Sequence, residues 1–357
     1  MKILYALCTW GLGHFTRSLP VIRKLIEEGH EIYIYTTHRP LLAAKKELKD
    51  TCYYIEGYDY PSPYTSKGDF VLKLTFKMGS LVKTMMREHD EIENIINKEK
   101  IDMIISDGKY GAFSKKIPSF FIFHQLRYIP PFYFKFMYNQ TERWNKFFED
   151  SFEKFIVPDF SGEYNLTGDL SHNLLYIHEN KVEYVGILSD YKNLNLKKDI
   201  DYLIMISGRE PNRTLLEERL KTQLKYLRGK IVFVEGKPEE SKHYMEDGVE
   251  FISYAEAGIR DELMNRAKFI VARAGYSTIM DIVELNKNAL LIPTPGQTEQ
   301  EYLAKYLDEK KYFCGKAETK VNLKYDIPLS KTYSSFQKPW GTKKTVENIL
   351  NMIRKYV

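Results

Sequence analysis

The sequence is short of several features that would place it in a familiar class. Its 357 residues contain three cysteines, Cys8, Cys52 and Cys314, and their spacing includes no CxxC pair. A disulfide framework or a structural zinc site is therefore not expected. No apolar run approaches the roughly 20 residues that a membrane span needs. The sequence has 53 Lys and Arg residues against 48 Asp and Glu residues, and this positive excess is too small to indicate nucleic-acid binding by itself. The N-terminus reaches Gly11 and His14 too early for a signal peptide, so we expect a cytoplasmic protein.

What the sequence does have is an alternation of short apolar segments with amphipathic helices, which is typical of parallel sheets with crossover helices. The first half predicts a long helix over residues 70–97 and strands at residues 3–7, 31–37, 101–106 and 119–123. A second series follows the polar stretch 189–199, with strands at residues 202–206, 231–234, 249–252, 269–272 and 289–292. We therefore expect an α/β fold of two Rossmann-like, doubly wound domains that face a central cleft. The expected domains are residues 1–186 and 187–340, and a C-terminal helix over 341–357 could pack back on the first domain.

A glycine loop, residues 9–17, follows the first predicted strand. Gly11 and Gly13 permit a tight turn and the close approach of a ligand, and the helix start offers free N–H groups to an anion. The loop partly matches the dinucleotide fingerprint GxGxxG, but Thr16 stands at the third glycine and no acid ends the second strand. An NADP-dependent oxidoreductase stays open as an alternative, with Arg39 available for the 2′-phosphate.

His14 is the distinctive residue of this loop. A neutral imidazole at a helix start could accept a proton from a substrate hydroxyl, because the helix dipole favours the neutral form. His14 could instead only cap the turn. Asp107, which follows a predicted strand, is the competing base, and its alternative role is to cap the next helix. The residues expected on the acceptor side are Gly11, Arg17, His124 and Gln125.

Three loops of the second half, each after a predicted strand, combine small residues with hydrogen-bonding groups. The loop with Ser207 and Gly208 would offer N–H groups to phosphate oxygens, and either Arg209 or Arg213 would add a guanidinium. Residues 273–281 place Arg273, Gly275, Tyr276, Ser277 and Thr278 around a helix start, which suits a diphosphate. Asp281 could bind a ribose diol, although Thr278 and Asp281 also fit an ordinary capping box. The third loop carries Gln297, Gln300 and Glu301, whose side chains could recognise sugar hydroxyls.

In these residues the sequence resembles the GT-B glycosyltransferases and, within them, the MurG-like glycosyltransferase family 28. The similar residues are Gly11, Gly13, His14 and Arg17, the Ser207-Gly208 loop, Phe251-Ile252, residues 273–281 and residues 293–300. The resemblance implies an inverting transfer, without a cofactor or bound metal, from a nucleoside diphosphate-sugar. The implied donor is UDP-GlcNAc or a related UDP-hexose, and the implied acceptor is a hydroxyl or a lipid-linked molecule.

The resemblance also implies roles for single residues. Ile252 would contact the base, Asp281 the ribose, Gly275 and Ser277 the diphosphate, and Gln300 with Glu301 the donor sugar. The full donor-side set is Gly13, Ser207, Gly208, Arg209, Ile252, Arg273, Gly275, Tyr276, Ser277, Thr278, Asp281, Gln297, Gln300 and Glu301. Glu301 departs from the two glutamines common in the family, and Arg209-Glu210-Pro211 departs from its glycine-rich loop. Both departures indicate a side branch of the family rather than the peptidoglycan enzyme itself.

Two other functions stay open on the same fold, a nucleotide-sugar 2-epimerase and a non-catalytic nucleotide-sugar-binding subunit. A peripheral contact with the inner face of the cell membrane is a further expectation. It rests on the basic amphipathic stretch 70–87 and the aromatic stretch 130–138. The alternative is that both stretches face the core or the cleft.

Overall fold

The computed structural model describes residues 1–61 and 70–356, with the backbone alone at residues 70–76, 132 and 133. The described chain forms two compact units. The first takes in the residues up to Asp190 and those from Trp340 onward, and the second is Tyr191–Pro339. Among the helices of the described residues, none combines the length and the apolar character that a membrane crossing requires.

The first unit is built on a parallel sheet. Its strands, in chain order, are β1 (Lys2–Leu7), β2 (Glu31–Thr36), β3 (Tyr53–Glu56), β4 (Met103–Asp107), β5 (Ser119–Ile122), β6 (Lys154–Val157) and β7 (Val182–Tyr184). They lie in the spatial order β3-β2-β1-β4-β5-β6-β7. The strand order reverses between β1 and β4, and the carboxyl ends at such a reversal are where ligands bind in open α/β sheets.

Helices cover both faces of this sheet because the central strands are buried and apolar. They are α1 (Gly13–Glu27), α2 (His38–Leu48), α3 (Phe70–Glu99), α4 (Glu142–Phe147) and α10 (Thr342–Ile353). The C-terminal helix α10 packs against α1, and Arg354 Nη2 donates to Glu28 Oε2 at 2.7 Å. Trp340 Nε1 donates to the Val185 carbonyl at 3.1 Å. The end of the chain therefore completes the first unit.

The second unit has a similar sheet of its own. Its strands are β8 (Tyr202–Met205), β9 (Ile231–Val234), β10 (His243–Glu246), β11 (Val249–Ile252), β12 (Phe269–Arg273), β13 (Asn288–Ile292) and β14 (Cys314–Gly315). They lie in the order β10-β11-β9-β8-β12-β13-β14, and β10 is antiparallel to β11. The helices are α5 (Asn212–Lys221), α6 (Ala257–Arg266), α7 (Tyr276–Glu284), α8 (Thr298–Glu309) and α9 (Leu323–Ser330).

The predicted α/β class and the two doubly wound sheets are confirmed, and each predicted strand matches an observed one to within two residues at either end. The sequence did not predict the edge strands β3, β10 and β14, nor β6, which is an interior strand of four residues. Edge strands are short and half-exposed, so they lack the continuous apolar run that marks a buried parallel strand.

Candidate active site

In the first unit the site is built where β1 and β4 lie side by side. Leu7, the last residue of β1, is in register with Asp107, the last residue of β4. The chain leaves β1 through the glycine loop and enters α1 at Gly13. The first turns of α1 therefore lie beside the end of β4. This arrangement brings His14, Arg17 and Ser18 to Asp107, about 90 residues away along the chain.

The Asp107 carboxylate is fully buried and accepts hydrogen bonds from all three side chains. His14 Nδ1 lies 2.7 Å from Oδ1, and Ser18 Oγ donates to Oδ2 at 2.8 Å. Arg17 grips both oxygens, since Nε donates to Oδ2 at 2.8 Å and Nη2 donates to Oδ1. A two-pronged guanidinium–carboxylate contact of this kind is strong and directional. Asp107 is therefore held as an anion in a fixed position.

These contacts favour one tautomer of the neutral His14 ring. His14 Nδ1 lies 2.7 Å from Asp107 Oδ1 and 3.1 Å from Arg17 Nη2. Arg17 Nη2 already donates to Asp107 Oδ1 and an ionised carboxylate can only accept, so the shorter contact favours Nδ1–H. The lone pair of the neutral imidazole then resides on Nε2. The His14 side chain is 16% exposed, whereas Asp107 is fully buried. Of the two, the imidazole is the group that a substrate hydroxyl can reach.

Arg17 also contacts a second imidazole, His124, and favours the other tautomer there. Arg17 Nη1 lies 3.0 Å from His124 Nδ1. A guanidinium has only N–H donors, so His124 Nδ1 is the acceptor and the proton of its neutral ring is on Nε2. His124 and Gln125, which follow β5, are each 7% exposed.

Burial and the nearby Arg17 guanidinium lower the pKa of His14 below its ordinary value, and Asp107 opposes this only in part. His14 is thus neutral at pH 7 and able to accept a proton. Burial alone would raise the pKa of Asp107, but Arg17 and His14 overcome this and hold it well below its usual range. A carboxylate so stabilised is a poor proton acceptor.

Two sequence-based assignments in this region are corrected. Asp107 does not cap a helix, because residues 108–118 form turns and loops. As a competing base it is disfavoured by its burial and its ion pair. Arg17 was expected to contact the acceptor, but it is 3% exposed and its guanidinium is directed to Asp107 and His124. It positions these groups instead.

Gly108 packs directly against His14. Its φ is +78°, and a Cβ built there would lie 3.0 Å from His14 Cε1 and 3.1 Å from Cys8 Cβ. We expect Gly108→Ala to destabilise the first unit by more than the about 1–2 kcal/mol of left-handed backbone strain, and to lower turnover by displacing the imidazole. Gly162→Ala is the matched control, since its φ is +83° and no heavy atom lies within 4 Å.

Thermal unfolding and turnover of the two variants give the measurement. The difference between them isolates the contact with His14 from the backbone strain that they share. Equal losses of stability together with equal turnover would show that Gly108 has no role at the imidazole.

In the second unit the expected donor residues lie at the carboxyl edge of the sheet, after β8, β11, β12 and β13. Two of the loops meet. A Cβ built on Gly275, the residue before α7, would lie 3.9 Å from Thr278 Oγ1 and 4.0 Å from Gln300 Nε2. The start of α7 and the start of α8 are therefore neighbours, and α7 presents its first N–H groups there.

Side-chain amides and a carboxylate shape the loop between β13 and α8. Gln300 Oε1 accepts from the Thr294 N–H at 2.9 Å, and Gln300 Nε2 donates to Gln297 Oε1 at 2.6 Å. Glu301 Oε1 accepts from the Gly296 N–H at 2.9 Å. These side chains are half-buried or exposed. They hold the loop while keeping further hydrogen-bonding capacity.

The remaining predicted donor residues of the second unit occupy the same edge. Ser207, Gly208 and Arg209 are exposed in the loop before α5, where the Gly208 φ of +121° suits glycine. Ile252 ends β11 and is buried. Ser277, Thr278 and Asp281 are half-buried. Gly11 and Gly13 belong to the first unit, where Gly11 is exposed and Gly13 is half-buried.

Several expectations for this unit are corrected. Arg273 is 2% exposed and its guanidinium lies on Glu318 and two carbonyls, so it does not face a phosphate. The Tyr276 side chain is buried, which leaves only its backbone for a ligand. Helix α7 begins at Tyr276, so Asp281 lies in its second turn and Thr278 is not its N-cap. The capping-box interpretation is therefore wrong.

Sequence reasoning missed Ser18, Gly108 and Glu318. The helical spacing of Ser18 from His14, four residues, gave a usable signal for a shared face. Glu318 gave none, because its partner Arg273 lies 45 positions earlier in the chain. Among the described residues, no group of three or more His, Cys, Asp or Glu is arranged to hold a metal ion.

The segments expected at a membrane surface are described only in part. Side chains of residues 70–76, within the basic stretch, lie outside the described set. In the aromatic stretch, Phe136 is 78% exposed and Met137 is also exposed, as is Phe147 in α4. These apolar side chains face solvent rather than the core.

The sequence model of the glycosyltransferase family 28 C-terminal domain matches residues 203–327, which hold the Ser207, Gly275 and Gln300 loops. An uncharacterised glycosyltransferase of Methanosarcina acetivorans is 25% identical over 87% of this chain and 84% of its own length. The chain is a glycosyltransferase.

Solved structures show the fold of the glycosyltransferase. The calicheamicin glycosyltransferase CalG4 matches with a TM-score of 0.64 at 12% identity, covering 99% of this chain and 98% of that one. MurG of Acinetobacter baumannii matches with a TM-score of 0.56 at 15% identity, covering 99% of this chain and 100% of that one. A UDP-GlcNAc 2-epimerase of Methanocaldococcus jannaschii matches with a TM-score of 0.60 at 16% identity, and the match covers 99% of this chain and 100% of that one. The fold is GT-B, as the sequence predicted.

Proposed function

We propose that the glycosyltransferase moves a sugar from a UDP-sugar, UDP-GlcNAc or a related UDP-hexose, to an acceptor hydroxyl with inversion at the anomeric carbon. The observation that carries this proposal is the contact between His14 Nδ1 and the buried Asp107 carboxylate, which leaves Nε2 as a proton acceptor. The second unit would bind the donor through the loops that the family 28 domain includes.

His14 Nε2 would take the proton of the acceptor hydroxyl as its oxygen attacks the anomeric carbon. The bond between that carbon and the diphosphate oxygen breaks, and the nucleoside diphosphate leaves with the bonding electrons. Asp107 stabilises the imidazolium that forms, while Arg17 holds Asp107 in place. The imidazole is neutral before the transfer because burial and Arg17 lower its pKa. Acid–base assistance of this kind accounts for about 10²–10⁴-fold in rate.

The leaving diphosphate requires stabilisation of its negative charge. Helix N-termini provide it through free N–H groups, and Gly275, the residue before α7, lies beside Gln300. Glu301 in place of a second glutamine adds a negative charge beside the proposed sugar position. The reaction is proposed to proceed without a bound metal, and undiminished turnover in excess EDTA would support this.

Nucleotide binding tests the donor assignment. We expect UDP to raise the melting temperature more than GDP, dTDP or NADP, because a ligand that binds only the folded state stabilises it. Asp281→Asn should weaken UDP binding about tenfold by removing a charged acceptor for the ribose hydroxyls. Glu284→Gln, on the same helix α7, is the control. Stabilisation by NADP alone would refute the donor assignment.

A nucleotide-sugar 2-epimerase remains the second candidate because the solved epimerase shares the fold at a TM-score of 0.60. The family 28 match favours transfer over epimerisation. Incubation with UDP-GlcNAc alone separates them. Formation of the 2-epimer without an acceptor would identify an epimerase, whereas a transferase needs an acceptor to turn over rapidly.

The acceptor is proposed to be a hydroxyl compound or a lipid-linked molecule. Exposed Phe136, Met137 and Phe147, with Lys135 directly before Phe136, have the composition of a surface that contacts lipid. A peripheral contact at the inner face of the membrane is therefore part of the proposal, and sedimentation with anionic vesicles tests it.

A further inference from the structure

Arg273 is a buried cation at the centre of the second unit's carboxyl edge. It is the last residue of β12 and is 2% exposed. Its Nη2 donates to the Asn212 carbonyl at 2.7 Å, and its Nη1 donates to the Pro293 carbonyl at 3.2 Å. Nη1 also lies 2.6 Å from Glu318 Oε2. Nε has no hydrogen-bond partner among the described residues, and the contact with Glu318 Oε2 is an ion pair rather than a hydrogen bond.

The partners of Arg273 come from three segments that are distant in sequence. Asn212 begins α5 directly after the Ser207 loop, Pro293 follows β13, and Glu318 follows β14. Gly275 lies two residues beyond Arg273 itself. One guanidinium therefore joins the ends of the segments that carry the proposed diphosphate and sugar contacts. Parallel strands do not fix their loops in this way, because ladder hydrogen bonds stop where the strands end.

The Glu318 carboxylate partly compensates the buried positive charge of Arg273. Its side chain is 7% exposed and lies in the wall of a cavity of about 380 Å³, together with Pro293, Glu301 and Lys316. A buried guanidinium without a carboxylate partner is strongly unfavourable. Loss of the Glu318 charge would therefore pull Arg273 toward solvent and away from its two carbonyls.

We propose that Arg273 and Glu318 form a positioning pair, which holds the loops after β8, β12 and β13 in the geometry that binds the donor diphosphate. The inference rests on the proposed function, since it assigns the purpose of these loops. Neither residue is proposed to contact the substrate. The pair acts through the backbone of residues that do, above all Ser207 and Gly275.

Binding of UDP and of uridine to Glu318→Gln tests the pair. The glutamine keeps the shape of the side chain and removes its charge. We expect UDP affinity to fall about tenfold, since small displacements of a pre-formed site are costly. Uridine affinity should change less than about twofold, because uridine lacks the diphosphate that these loops would hold. Glu318→Asp, which keeps the charge, should recover part of the loss.

Glu142→Gln is the matched control, from the first unit. Arg127 Nη2 and Glu142 Oε2 form a buried ion pair at 2.7 Å, with side chains 2% and 0% exposed. This variant should lose thermal stability while UDP affinity stays unchanged. The same pattern in Glu318→Gln would overturn the inference, since it would show a purely structural pair. If Glu318→Gln does not fold, the comparison passes to Glu318→Asp, where unchanged UDP affinity despite lower stability would have the same meaning.

Failure of the proposed function gives a different result. If the wild-type chain binds none of UDP, GDP or dTDP, then the donor assignment is wrong before any variant is compared. If the wild type binds UDP and both Glu318 variants bind it equally well, then only the positioning role is refuted.

Discussion

Replacing His14 with glutamine should lower the rate of sugar transfer by about 10²–10⁴-fold, the range that acid–base groups supply. Glutamine can still donate to Asp107 through its amide, but it cannot take up the acceptor proton. UDP affinity should be unchanged, because the proposed donor residues other than Gly13 belong to the second unit. The measurement is UDP release from a UDP-sugar in the presence of acceptor, together with UDP titration. His178→Gln, an exposed histidine of the first unit, is the control.

Asp107→Asn supplies a second test of the same site. If Asp107 acts through the imidazole, Asp107→Asn should lower the rate of sugar transfer when His14 is present. The same substitution should have little further effect on the rate when His14 is already replaced by glutamine. If the rate reductions of the two single variants multiply in the double variant, then Asp107 acts independently of His14. Full turnover in His14→Gln would exclude His14 as the base.

Replacing Arg17 with methionine should reduce the free energy of unfolding by about 3–5 kcal/mol, the usual cost of leaving one member of a buried ion pair without its partner. Asp107 would stay buried and, among the described residues, keep His14 and Ser18 as its side-chain donors. Arg23→Met on the same helix is the control. Arg23 is 39% exposed, and surface ion pairs contribute about 0–1 kcal/mol. Urea denaturation of both variants measures the difference.

The effect on stability should depend on pH in a defined direction. The folded-state pKa of Asp107 is depressed, so its ion pair contributes stability above the usual carboxyl pKa of 3.8 and loses it as the pH falls through the folded value. The difference between Arg17→Met and wild type should therefore be complete at pH 7 and shrink below about pH 4. A difference that does not shrink would argue against the ion pair as its source.

Arg17→Met should also shift the pH profile of turnover. In the wild type the acid limb of kcat/KM should have its midpoint below the ordinary histidine pKa of 6.5, because burial and Arg17 lower the pKa of His14. Removing the guanidinium removes the repulsion and leaves the attraction of Asp107, so the midpoint should move to higher pH. A wild-type midpoint at or above 6.5 would contradict the neutral imidazole.

The outcome in the second unit shows how far residue type alone can assign a role. Arg273 and Arg209 are both donor-side residues in the prediction from sequence, and arginine suits phosphates as well as carboxylates. The structure separates them, because Arg273 ends a central strand and is buried against Glu318, whereas Arg209 is exposed in a loop. Burial at the end of a strand depends on neighbouring strands, and those come from distant parts of the sequence.

The sequence by itself determined the α/β class, most of the buried strands of both sheets and the glycine loops that follow them. These features are local, since apolar runs and turn residues act within a few positions of one another. It also indicated His14, because the residue lies within the glycine loop. The partners of His14 were decided by tertiary structure. Asp107 reaches it only because β1 and β4 pair in parallel, which places residues 93 positions apart at one end of the sheet. The same pairing of distant strands joined Arg273 to Glu318, and no short-range pattern encodes such contacts.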